Sequence, residues 1–251
     1  MNVTKRVILP LVVLTLAGCG GGGGDSSSSP ASTTTAEGLY SGTTNTGRAV
    51  TGLVLDDGTY YILYTPVGDT SLIAGLVQGN GTSTASTFTS SNTRDFNLEG
   101  FGVLSATLSA TYIDNQSISG TVTYAGGGGF TTFSGTYDSL YEATPSLGAL
   151  AGTFTGQVAS SVGVENAAIT VSSNGTFSGI SSGGCGFTGT VAPRARGNVF
   201  DISIVSGGAP CIFANETLSG IAFFNASAKR LYVATPTAAR TDGALFVGTK
   251  P

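Results

Sequence analysis

The chain contains no histidine, no tryptophan and a single methionine among its 251 residues. Without imidazole there is no Ser-His-Asp or Cys-His nucleophile and no His-ligated zinc or iron, so the commonest catalytic and metal constellations are excluded. Charge is scarce as well: 10 basic and 14 acidic side chains make up 10% of the residues, with a formal net charge of −4. A weak, slightly acidic field argues against nucleic acid or an anionic membrane surface as partner, since both attract Lys/Arg-rich patches. No stretch sustains an apolar repeat of 3.6 residues, which leaves no helical domain to expect. No metal site and no cofactor are expected.

What the chain does have begins at its N-terminus. Lys5 and Arg6 form a short positive segment, Val7 to Leu16 is an apolar run of ten residues interrupted by Pro10, and Ala17-Gly18 places small residues before Cys19. Ten apolar residues cannot cross a bilayer core of about 30 Å as a helix, which takes roughly 20. The segment therefore reads as a signal peptide over 1–18.

Leu16-Ala17-Gly18-Cys19 resembles the lipobox of bacterial lipoproteins. The resemblance covers the first nineteen or twenty residues. It implies that the Cys19 thiol is diacylglycerylated, that the chain is cut just before it, and that the new amino group is acylated. Two or three acyl chains meet the requirement for stable anchoring, since each buried CH₂ contributes about 0.8 kcal/mol. In that family Asp after the cysteine favours inner-membrane retention; here Gly20 follows, so an outer-membrane lipid anchor facing the periplasm or the cell surface is expected. The bilayer, through acylated Cys19, is then one partner.

With Cys19 committed to lipid, Cys185 and Cys211 remain, and an even pair in an exported chain reads as a disulfide. It would close a loop of roughly 27 residues, worth about 3.5 kcal/mol in the chain-entropy model. Lys5 and Arg6 leave with the peptide, so eight basic side chains face fourteen acidic ones, a formal charge of −6. Residues 19–36, rich in Gly, Ser and Thr, form a tether with nothing to bury.

From Glu37 onward short alternating runs of Val, Ile, Thr, Tyr and Phe are separated by Gly, Asn and Asp. Leu104, Ala106, Leu108, Ala110 and Tyr112 alternate with Ser105, Thr107, Ser109 and Thr111, the period of a strand with one buried face. Asp56-Asp57-Gly58, Asn80-Gly81, Asn174-Gly175 and Asp242-Gly243 mark turns. The fold class is all-β.

Four blocks recur in the same order. Gly38-Leu39-Tyr40-Ser41-Gly42 matches Gly152-Thr153-Phe154-Thr155-Gly156, and Asp57-Gly58-Thr59-Tyr60 matches Asn174-Gly175-Thr176-Phe177. Asn115 to Gly120 matches Asn215 to Gly220, and Phe133-Ser134-Gly135-Thr136 matches Phe246-Val247-Gly248-Thr249, with offsets of 114, 117, 100 and 113 residues. Conserved order favours internal duplication over convergence on common hairpin chemistry. Two β domains follow, 37–144 and 147–251, with Pro145-Ser146 between them. Inward-facing Gly120, Gly135, Gly220 and Gly248 suit sheets that bend and close, so two tandem antiparallel barrels of about seven or eight strands each are expected. A single larger β-sandwich is the alternative. Outward positions rich in Ser, Thr and Asp disfavour a membrane-spanning barrel.

Several stretches offer candidate chemistry. Tyr60, Ile62 and Tyr64, in a strand apolar on both faces, are the candidate lining of a cavity for a small apolar ligand. Asp56-Asp57 is the one adjacent carboxylate pair, but before Thr59-Tyr60-Tyr61 it reads as a hairpin rather than a glycosidase dyad. Gly126 to Gly129 lacks a following helix and Gly-Lys-Ser/Thr, and reads as a hairpin tip. Arg94-Asp95-Phe96-Asn97, Arg194 and Arg196 read as surface charges, and Thr82 to Thr93 as a mobile loop or solvated edge. The expectation is a non-enzymatic, membrane-anchored envelope module that binds a protein partner or a small apolar ligand. An inhibitor of a hydrolase such as lysozyme or a protease is the alternative, and a carboxylate-based glycosidase the third reading.

Overall fold

A computed structural model describes residues 35–251, so the expected signal peptide, Cys19 and the expected tether up to residue 34 lie outside the described residues. Two closed antiparallel barrels follow one another along the chain.

The first is built from β1 (Gly38–Thr44), β2 (Ala49–Val54), β3 (Thr59–Tyr64), β4 (Gly75–Asn80), β5 (Thr82–Thr84), β6 (Thr87–Asn97), β7 (Gly102–Ile113), β8 (Ser117–Tyr124) and β9 (Phe130–Tyr137). β4 and β5 both pair with β6, one after the other, so nine segments make eight staves, and β9 closes on β1. The second is a plain meander of β10 (Gly152–Ser160), β11 (Gly163–Val171), β12 (Thr176–Ser181), β13 (Gly186–Pro193), β14 (Val199–Ser206), β15 (Thr217–Asn225), β16 (Arg230–Pro236) and β17 (Gly243–Thr249). Period-two alternation decides which side chains fill each interior. On β7, Ala106, Leu108, Ala110 and Tyr112 are buried, while Ser105, Thr107, Ser109 and Thr111 are exposed. Tyr40, Tyr60, Phe88 and Leu108 share the first core, and Phe154, Phe200, Phe224 and Phe246 the second.

Each barrel is stoppered at one end by the segment that precedes its first strand. In the first, the Ala36 amide donates to Ser83 Oγ at 3.0 Å and the Tyr40 hydroxyl donates to the Ala36 carbonyl at 3.1 Å. In the second, a single helical turn, α1 (Leu147–Leu150), follows Ser146, whose Oγ accepts from the Ala149 amide at 3.3 Å. Its Leu150 is buried with the second core, and the Lys250 ammonium lies over the rings of Phe154 and Phe224 at 5.4 and 4.8 Å.

The outward faces are not uniformly polar. Leu39, Leu53, Tyr61, Leu76 and Phe96 of the first barrel pack against Val199, Ile221, Phe223, Ala234 and Leu245 of the second in a third buried cluster. This explains the strand 59–64: Tyr60, Ile62 and Tyr64 point inward, while Tyr61 and Leu63 point to the neighbouring barrel. At the edge of the contact Arg194 reaches Asp56 at 2.8 Å, Asp57 at 3.4 Å and Asp201 at 2.7 Å, and Arg196 pairs with Glu37 at 2.7 Å. The carboxylate pair of the turn is therefore an inter-barrel clasp. The connecting segment packs here too, with the Tyr141 hydroxyl donating to Glu37 at 3.0 Å.

Three of the four recurring blocks fall on equivalent staves: the first strand, the turn into the third, and the last. The Asn115 and Asn215 blocks do not, because the first leads into the seventh stave of its barrel and the second into the sixth. Their likeness is shared turn chemistry, since both asparagines adopt positive φ, 52° and 61°. The segment from Thr82 to Thr93 is also corrected. It forms β5, a two-residue turn and the first half of β6, with Phe88 1% exposed inside the barrel. Ala85 and Ser86 hold the turn at φ 49° and 64°, conformations usually supplied by Asn-Gly, so the hairpin carries no sequence signal.

Candidate functional site

At the end opposite its stopper each barrel holds a cavity, and the two differ in chemistry. The cavity of the second barrel, about 210 Å³, lies where the loops at 160–163, 181–186 and 206–217 meet. Its walls are Ile169, Phe187, Ile204, Leu218, Val233 and Phe246, inward-facing residues of six strands. Nearer the mouth the same inward positions become Ser160, Ser181 and Ser206, with Glu165 beside them. The Gly183 amide donates to Glu165 at 3.2 Å. Outside, the rim is apolar: Val162, Val164 and Ile212 are 69%, 53% and 49% exposed.

Cys185 and Cys211 form a disulfide across this mouth, with Cα atoms 4.5 Å apart. It ties the 181–186 loop to the long 206–217 loop, which carries Pro210, Ile212 and Phe213 of the lining. Without that cross-link a connection of this length would lie loose over the barrel.

The cavity of the first barrel, about 230 Å³, is polar at its centre. Ile62 and Tyr64 line it, together with Val50, Val77, Val122, Tyr124 and Phe133. Tyr60 lies deeper, fully buried, sharing a hydrogen bond of 2.7 Å with Thr93 and meeting the Phe88 ring edge-on at 5.6 Å. The centre is Asp95, 2% exposed. The Tyr64 hydroxyl donates to Asp95 Oδ1 and the Tyr124 hydroxyl to Oδ2, each at 2.8 Å, and Asn97 Nδ2 donates to the Tyr64 oxygen at 3.1 Å. Burial pushes the Asp95 carboxyl above the usual carboxylate range, against the two phenol hydrogen bonds that favour ionisation. Both phenols are raised in turn, first by burial and then by Asp95.

Arg48 stands at the rim of this cavity, 5.5 Å over the Tyr64 ring. Its guanidinium is engaged elsewhere: Nη1 and Nη2 donate to Glu99 at 3.1 and 2.7 Å, and Nη1 also to the Thr65 carbonyl at 3.1 Å. The sequence reading placed Arg94-Asp95-Phe96-Asn97 on the surface. A register shift between Ser90 and Thr93 moves the inward face of β6 from Phe88 and Ser90 to Thr93, Asp95 and Asn97, while Phe96 enters the inter-barrel cluster and Arg94 reaches out to Ser105. Alternation counted from Phe88 points Asp95 outward, so the sequence held no signal for this placement.

No family model matches the chain, and no curated relative matches it. Among solved structures it is similar to a chain described as a "putative outer membrane protein" from Bacteroides fragilis NCTC 9343, at 18% identity over 85% of this chain and 97% of that one, with a TM-score of 0.29. At that score nothing of that protein transfers to this one.

Proposed function

We propose that the protein is a lipid-anchored envelope module, held at the outer membrane by acylated Cys19, that binds a small amphipathic molecule in the mouth of its second barrel without catalysing a reaction on it. The observation that carries the reading is an apolar cavity of about 210 Å³ inside a closed barrel, opening through an apolar rim. A cavity of about 150 Å³ with such walls stays dry and takes up benzene, so this one has room for an apolar body of about six to eight carbons. Ser160, Ser181 and Ser206 then meet a hydroxyl-sized polar head. Glu165, at the mouth, disfavours a carboxylate there, because like charges repel.

Metabolic labelling with palmitate tests the anchor: a labelled mature product is expected, and an unlabelled product with Cys19 as a free thiol would overturn it. Calorimetric titration with 1-hexanol and with hexanoate tests the site. Hexanol is expected to bind the more tightly, and equal or tighter binding of hexanoate would contradict the assignment of the head-group ring.

A further inference from the structure

We infer that the first barrel carries a second, chemically distinct site, in which Asp95 receives the ammonium group of a small organic amine. Buried charges in folded proteins are paired, because an isolated carboxylate taken from water is strongly disfavoured. Asp95 is buried, yet both its oxygens are held by neutral phenols, and no salt bridge to it is found among the described residues. The cation that lines the same cavity, Arg48, forms its paired hydrogen bonds with Glu99 instead. Arg48 and Glu99 cancel, so no cation of the chain compensates Asp95 when it ionises, and an arriving ammonium would favour the ionised form.

The space beside Asp95 supplies what an alkylammonium requires. Tyr124 and Phe133 contribute aromatic rings to the lining besides Tyr64, which already lies under Arg48, and a ring face attracts a cation through its quadrupole. Val50, Val77 and Val122 receive an apolar body. Each phenol uses its proton on Asp95, which leaves the second lone pairs of the carboxylate as acceptors for N⁺–H donors. A metal ion is a poorer fit, since among the described residues no group of three or more His, Cys, Asp or Glu is placed to hold one. The inference is independent of the second-barrel reading, and the two fail separately.

Titration of the full chain with n-butylamine, followed by calorimetry, tests it. Saturable binding is expected, weakened at least tenfold by Asp95→Asn and unchanged by Ala244→Phe, since Ala244 lines the second-barrel cavity and a larger side chain there fills it. Absence of binding, or equal binding by Asp95→Asn, would overturn the inference. Loss of binding in Ala244→Phe would also overturn it, by moving the amine to the second barrel. Should Asp95→Asn not fold, Phe133→Leu decides. Removing one ring face is expected to weaken the amine about two- to fivefold, the effect of a single cation–π contact, and an unchanged affinity would contradict the site. Displacement of butylamine by an equal concentration of potassium chloride would assign the site to an inorganic ion and overturn the amine.

Discussion

Gly156 and Gly248 lie directly opposite one another where the first and last staves of the second barrel join, and neither leaves room for a side chain. A Cβ built on Gly156 would stand 2.0 Å from the Val247 carbonyl oxygen, a backbone atom that cannot turn aside. The first barrel repeats the arrangement with Gly42 opposite Gly135. Gly156→Ala is therefore expected to destabilise the protein by about 3 kcal/mol, the upper range for overpacking. Gly148→Ala, in the exposed helical turn with no atom closer than 3.7 Å, is expected to be neutral or slightly stabilising. Urea denaturation of the two variants checks both.

Arg194 clasps the two barrels through Asp56 and Asp57 on one side and Asp201 on its own. Burial works against ionisation of Asp57, but hydrogen bonds from Thr59 and the charge of Arg194 outweigh it and hold its carboxyl below the usual range. The partners are largely exposed, so solvent screening limits the contribution. Arg194→Met is expected to cost about 1 kcal/mol at low ionic strength and close to nothing at 1 M salt, where the Debye length is about 3 Å. An unfolding series in increasing sodium chloride measures this.

The Asp95 carboxyl is raised above its ordinary value of 3.8, so the folded state binds that proton more tightly than the unfolded chain. Its stabilising contribution is complete below the unfolded value and is lost as pH rises through the folded one. Asn at 95 does not titrate. Wild-type stability relative to Asp95→Asn is thus expected to fall as pH rises from the ordinary value of 3.8 through the raised folded one, and a difference that stays flat as pH rises would contradict the burial described here.

The disulfide between Cys185 and Cys211 closes a loop of sequence separation 26 over the second-barrel mouth. The Cys185→Ser, Cys211→Ser double variant is expected to lose about 3.5 kcal/mol of stability on the chain-entropy account and to bind hexanol more weakly, because Pro210, Ile212 and Phe213 are no longer held against the cavity. Thermal unfolding with and without hexanol reads both effects.

The fold was legible where alternation was clean, as along β7, and at turns such as Asn174-Gly175, but Asn80-Gly81, also read as a turn, only joins β4 to β5 along the same edge of β6. It was illegible where special backbone geometry fell on unmarked residues, as at Ala85-Ser86. The disulfide followed from cysteine parity. The inter-barrel face was present in the sequence only as a strand apolar on both sides, and nothing local says which neighbour covers Tyr61 and Leu63. The two cavities are assembled from inward residues of many strands, each indistinguishable in sequence from a core residue. Asp95 lies inside only because the register of β6 shifts between Ser90 and Thr93, an irregularity that no Gly or Pro marks in the sequence.

The central claim is that the second-barrel cavity is a finite apolar binding site, and a chain-length series of linear alcohols from butanol to octanol measures it directly. If the chain enters the cavity, affinity rises about fourfold per methylene, the equivalent of about 0.8 kcal/mol for each buried CH₂, until the walls are filled, and then levels off. Ala244→Phe is expected to shift that plateau to shorter alcohols. An affinity independent of chain length, or a series that Ala244→Phe leaves unchanged, would contradict it.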